Sequence, residues 1–209
     1  MPKSTTRGTA KTPGSTATEA RAAGFMRSAL AIIGETGRAD FTVLEVVERS
    51  KTSLRSFYQH FATKDDLLLA LIGKIMAEST ERWQDETADM TAPDALRWLI
   101  DRMGATAESS TQDSINRGLT YSNDHLMETR PTDFARLLKP IYALFSDIVR
   151  RGVTEGDFRS DLDIEPTAAI VMQNALGALR LRSLSGELTP APVDGSAIYE
   201  FCVRSLIHP

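Results

Sequence analysis

Apolar residues recur at three- and four-residue steps through most of the chain, and no useful stretch alternates every second residue, so the pattern predicts an all-α protein. Phe25, Ala29, Ile32 and Ile33 place a first helix from Thr18 to the break at Gly34–Gly37. Thr42 caps a second helix of about two turns, with Val43, Val46 and Val47 on one face and Glu45 completing a capping box. After a break at Ser50-Lys51, Ser53 caps a third short helix carrying Leu54, Phe57, Tyr58 and Phe61. Thr63 opens a long fourth helix striped by Leu67, Leu68, Leu71, Ile72, Ile75 and Met76, and the acids in its first turn suit the helix dipole. Further helices are predicted over Asp94–Glu108, Gln112–Glu128, Pro131–Thr154, Pro166–Leu184 and Gly195–Ile207. Pro140 removes a backbone donor inside one of them and predicts a kink.

Residues 1–17 are rich in Thr, Ser, Gly and Pro, with three cations and no acid, which predicts a disordered basic arm. The other 192 residues are enough for a core, since 42% of the chain is hydrophobic. Its net charge of −4 hides a split: residues 1–65 carry ten cations against six acids, leaving −8 on the remainder. Phosphate attraction is screened beyond roughly 8 Å at physiological salt, so a polyanion would meet the front of the chain only. The chain holds no uninterrupted run of 18 apolar residues, and its start has no apolar segment of a secretory signal, so a cytoplasmic protein without membrane contact is expected. Cys202, alone of its kind and set in an apolar pattern, reads as buried structure.

Two short helices separated by a tight turn form a helix-turn-helix, whose second helix fits a major groove about 12 Å wide. With Val46, Val47, Leu54 and Phe57 holding the pair together, Ser53, Arg55, Ser56, Tyr58, Gln59 and His60 would face outward. Each can donate to a phosphate or a base edge, and Arg and Gln suit guanine and adenine respectively. Thr42, Lys51 and Lys64 complete the predicted DNA-contacting set, Lys64 as a point charge where a helix N-terminus already favours phosphate.

The stretch FTVLEVVERSKTSLRSFYQHFATKDDLLLAL, residues 41–71, resembles the DNA-binding signature of the tetracycline-repressor (TetR/AcrR) family. Thr42, Val43, Val46 and Val47 match its second helix, Ser53, Ser56, Phe57, Tyr58, His60 and Phe61 its third, and Thr63, Lys64, Asp65 and Leu67 the start of its fourth. Where that family has Ala-Gly in the turn, this chain has Ser50-Lys51, so Lys51 must adopt a left-handed conformation or the turn must change shape.

The resemblance implies a homodimeric repressor of operator DNA, released by a small-molecule inducer. It also implies a three-helix DNA-binding domain at residues 18–62 and a ligand-binding and dimerisation domain at 63–209. Two-fold symmetry would set the recognition helices about 34 Å apart. The predicted dimer face, on the last two helices, comprises Ala168, Val171, Met172, Ala175, Gly177, Ala178, Leu179, Ile198 and Phe201. Trp98, Met103, Asn116, Tyr121, His125, Tyr142, Phe145, Met172 and Asn174 are predicted to line a mostly apolar pocket for a lipophilic inducer. His125 is not expected to bind metal, since His60 belongs to the motif and His208 is penultimate. Catalysis and a cofactor are not expected: G-x-S-x-G, Walker and G-x-G-x-x-G motifs are all missing from the sequence. The rival reading is a helical protein-interaction module that does not bind operator DNA.

Overall fold

The computed structural model describes residues 13–104, 109–183 and 193–207. These form nine helices and no strand: α1 (Pro13–Thr36), α2 (Val43–Arg49), α3 (Leu54–Tyr58), α4 (Lys64–Thr87), α5 (Ala92–Gly104), α6 (Ser110–Thr129), α7 (Pro131–Glu155), α8 (Ile164–Ser183) and α9 (Gly195–Leu206). The first helix starts five residues earlier than its apolar stripe suggested, because Pro13 is compatible with a first turn, where its missing N–H would be unpaired anyway. The rest of the expected basic arm, residues 1–12, lies outside the described residues, as do Glu108 and Leu184, the predicted ends of two helices. Pro140 lies within α7, which continues through it as one helix.

Capping explains the sharp helix starts. Thr42 and Glu45 exchange hydrogen bonds in a complete capping box, as do Thr63 and Asp66, while Ser53, Ser109 and Asp194 each accept an N–H from the residue three positions on. Such caps are each worth about 1 kcal/mol.

The apolar stripes converge on two cores. One gathers Phe25, Ala29, Ile33, Phe41, Val46, Val47, Phe57 and Phe61 with Leu67–Ile72 of α4, and also takes in Leu126 of α6 and Phe134 of α7. The second is built by α5, α7, α8 and α9 around Leu96, Leu99, Phe145, Phe158 and Val171. The first core thus extends past residue 62, and α4 links the two, its Met76 packing against both.

α4 and α7 run parallel in a constant register of 64 residues. Asp66 meets Arg130, Leu137 packs on Gly73, and Arg151 donates to the Thr87 carbonyl at 3.5 Å and to that of Ala88 at 3.2 Å. α6 lies across α1: a Cβ on its Gly118 would stand 2.5 Å from Ile33 Cγ2 and 3.4 Å from the backbone of Gly37 and Arg38. Only a residue without a side chain allows this approach.

Candidate nucleic-acid interface

The turn between α2 and α3 is closed by two backbone bonds. Lys51 N–H donates to the Glu48 carbonyl (3.1 Å) and Thr52 N–H to that of Val47 (2.9 Å). This is the Schellman pattern, with Lys51 in the position that favours glycine. Lys51 takes the left-handed conformation there, φ 53°, and its side chain is exposed. The turn therefore keeps its shape without glycine, at a conformational cost of about 1 kcal/mol.

The aromatic residues of this region divide between packing and surface. Phe57 is fully buried, with Phe25 and Phe61 at ring-centroid distances of 5.4 and 5.7 Å. Tyr58 lies edge-on to Phe57 at 5.4 Å yet is 56% exposed. With Phe57 inward, α3 turns Leu54, Arg55, Tyr58 and Gln59 to solvent.

Several predicted DNA contacts occupy less open positions. His60 points inward: its Nδ1 lies 2.8 Å from the Ser56 carbonyl, its ring packs edge-on to Phe25 at 5.8 Å, and its Nε2 is buried without a partner. It braces α3 against α1 instead of facing the groove. The Ser56 hydroxyl is likewise buried without a partner. Ser53 and Thr42 are exposed, but their hydroxyls serve as helix caps, and that of Thr42 also donates to Glu45 at 2.8 Å. Lys64 is half-buried, its Nζ donating to the Ala39 carbonyl at 3.3 Å and lying 5.4 Å from the Phe41 ring centroid. Leu54 departs in the other direction: predicted as packing, it is 44% exposed.

α3 contains no acid, and many nearby carboxylates are engaged elsewhere. Glu35 pairs with Arg49, Asp40 with Arg38, Asp65 with His125 and Asp66 with Arg130. Glu45 is held below the ordinary carboxylate range, first by the Thr42 backbone N–H and then by its hydroxyl. The exposed face of α3 is thus left with Arg55 as its charge and Tyr58 and Gln59 as donors.

The residues predicted to bind a ligand do not all come together. Met103, Phe145 and Met172 are buried in the C-terminal core, with Trp98 and Tyr142 packed against it. Three others sit on α6, away from that core: Asn116 is hydrogen-bonded by Gln112 at 2.9 Å, Tyr121 is 67% exposed, and His125 Nε2 stands 3.2 Å from Asp65 Oδ2. Asn174 donates back to the Ile170 carbonyl of its own helix at 2.9 Å.

The predicted dimer face needs a larger correction. Ala168, Val171, Met172, Ala175 and Ile198 are buried in the chain's own core, because the inward side of α8 and α9 packs on α5 and α7. Phe201 is 70% exposed, and an added Cβ on Gly177 would meet nothing within 4 Å. The side chains of Ala178 and Leu179 lie outside the described residues. Ile170, outside the predicted set, is 62% exposed on α8. Its spacing of seven from Gly177 was the available signal. Cys202 is buried as predicted, and burial pushes its thiol pKa up. Among the described residues no helix is long and apolar enough to cross a membrane.

Residues 25–71 match the family model described as bacterial regulatory proteins, tetR family. No curated protein matches the sequence. Among solved structures, the chain resembles the transcriptional regulator FadR of Bacillus subtilis in complex with stearoyl-CoA, at 16% identity and a TM-score of 0.71, over 89% of this chain and 99% of that one. A tetR-family regulatory protein from Rhodococcus RHA1 is 22% identical with a TM-score of 0.62, over 90% and 98% of the two chains. A Saccharomonospora viridis protein in complex with choline is 17% identical with a TM-score of 0.64, over 88% and 93%. At these identities the resemblance establishes the fold. The helix-turn-helix segment thus matches the tetR family model, and the described helices adopt the fold of solved tetR-family regulators.

Proposed function

We propose that the chain acts as a homodimeric, sequence-specific repressor that leaves its operator when a small, largely apolar inducer binds the C-terminal core. The observation that carries this reading is the acid-free outer face of α3, with Arg55, Tyr58 and Gln59 exposed over a capped and aromatic-packed base. Lys51, Ser53, Thr42 and Lys64 flank that face as phosphate contacts, the last held in place by Ala39 and Phe41.

An apolar inducer fits the composition of the second core, where Met76, Met90, Met103 and Met172 accompany Trp98, Tyr142 and Phe145. Methionine repacks around irregular apolar shapes at little cost. Related folds hold stearoyl-CoA in one case and choline in another, and this methionine-rich surround favours the acyl type. For the dimer, the exposed side of α8 and α9 carrying Ile170, Gly177 and Phe201 offers both apolar area and room for close approach.

The test is selection of bound sequences from random duplex DNA, repeated at low and physiological salt. A recovered palindrome bound at dimer stoichiometry supports the proposal, with affinity falling as salt rises. Sequence-blind binding that persists after refolding to remove bound ligand would instead favour the interaction-module reading.

A further inference from the structure

Leu54 is the first residue of α3, and it shares a helical stripe with Tyr58 four residues on. The two are 44% and 56% exposed, beside Arg55 and Gln59. The apolar residue therefore stands inside the polar surface that would face DNA. Leu44 on α2 is comparably exposed at 52%, but Glu45 and Glu48 share its exposed side and repel phosphate. Around Leu54 no acid belongs to α3, so the backbone of a duplex can approach.

The leading residues of a recognition helix approach base edges most closely. Leucine brings neither a donor nor an acceptor to such an edge. In the major groove the apolar group that can meet it is the C5-methyl of thymine. We propose that Leu54 reads a thymine methyl in each operator half-site, beside the base pairs contacted by Arg55 and Gln59. This rests on the operator-binding reading above, and it adds one defined base preference.

The test starts from the selected operator and replaces each thymine in turn by deoxyuridine, which removes the methyl and keeps every hydrogen bond. Losing one buried methyl contact weakens binding about fourfold per half-site, hence about 15-fold when both symmetry-related positions are changed. The native protein should show this loss at one symmetric pair of thymines. Leu54→Ala should bind the thymine and deoxyuridine operators equally, while Leu54→Met, which keeps apolar reach, should still discriminate. Because Leu54 is nearly half exposed, both variants should melt close to the native protein. Deoxyuridine tolerated at every position, or discrimination that survives in Leu54→Ala, would overturn the assignment. Failure to recover any operator sequence would instead overturn the operator-binding reading itself.

Discussion

Arg130 Nη1 lies 3.1 Å from Asp66 Oδ1, joining the N-terminus of α7 to the first turn of α4 directly after the helix-turn-helix. Asp66 is the capping partner of Thr63, and Arg130 also grips Asp133 at 2.7 Å. His125 reaches Asp65 one residue away. The register of 64 residues starts at this contact and continues down the α4–α7 seam past Gly73 to Arg151. The start of α7 and the start of α4 are thus tied through Arg130 and Asp66, side chains that each also hold the first turn of their own helix.

Arg130→Met is expected to loosen that joint without unfolding the chain. Both partners are about one-third exposed, so urea titration should show only a modest loss in stability. Amide exchange should quicken in the first turn of α4, at Asp66 and Leu67, while α8 and α9 remain protected. Equal acceleration throughout the chain would show that Arg130 supports global stability only.

Acid should weaken the same joint. Burial pushes the Asp66 carboxyl up, but hydrogen bonds from Arg130 and from the Thr63 hydroxyl and backbone outweigh it, so its pKa falls below the ordinary value. A carboxyl with a folded pKa below its unfolded one contributes stability above the unfolded value, about 4, and loses it as pH falls through the folded value. Glu45 behaves alike at the α2 capping box. The melting temperature should thus drop on acidification below about pH 5. Asp66→Asn should be less stable than the native chain at pH 7, and the gap should close in acid. A constant gap between pH 7 and pH 3 would contradict the linkage.

The turn offers a second separation of effects. Lys51→Gly should raise stability by about 0.5–1 kcal/mol, because glycine adopts φ 53° without a Cβ clash. It should also lower operator affinity by removing a cation. Lys51→Ala removes the same charge but keeps the Cβ, so its melting temperature should stay near the native value. If Lys51 contacts one phosphate per protomer, both variants should flatten the dependence of log affinity on log salt by about two units for the dimer. A native salt slope in both would remove Lys51 from the interface.

Much of this architecture is legible in the sequence, since caps and apolar periodicity are local signals. Thr42, Ser53 and Thr63 mark helix starts, and the long stripes of α4 and α7 give their buried faces. What fails is orientation on short or uniformly apolar helices. α3 has five residues, too few for a 3.6-residue period to settle sides, so the pattern does not show that Leu54 faces out or that His60, just past its end, turns in. On α8, apolar and small residues occur all round, and periodicity does not distinguish Val171, which packs on its own chain, from Ile170, which faces out. The Asp66–Arg130 contact joins residues 64 apart, beyond the reach of any local pattern.

The proposed dimer face is tested most cleanly at Gly177. An added Cβ there meets nothing within 4 Å, and arginine has the higher helix propensity by about 1 kcal/mol, so Gly177→Arg should leave the isolated protomer folded or slightly stabilised. If α8 packs on its two-fold copy through this point, the charged side chain must be desolvated against a second one like it, and the protein should sediment as a monomer. Operator affinity should then fall by two orders of magnitude or more, roughly the avidity lost when two half-sites are no longer engaged together. Ala168→Leu supplies the contrast. That residue is fully buried in the chain's own core, so overpacking should cost about 1–3 kcal/mol in protomer stability. A Gly177→Arg protein that retains dimer mass would move the interface off this face of α8, while leaving the helix-turn-helix assignment untouched.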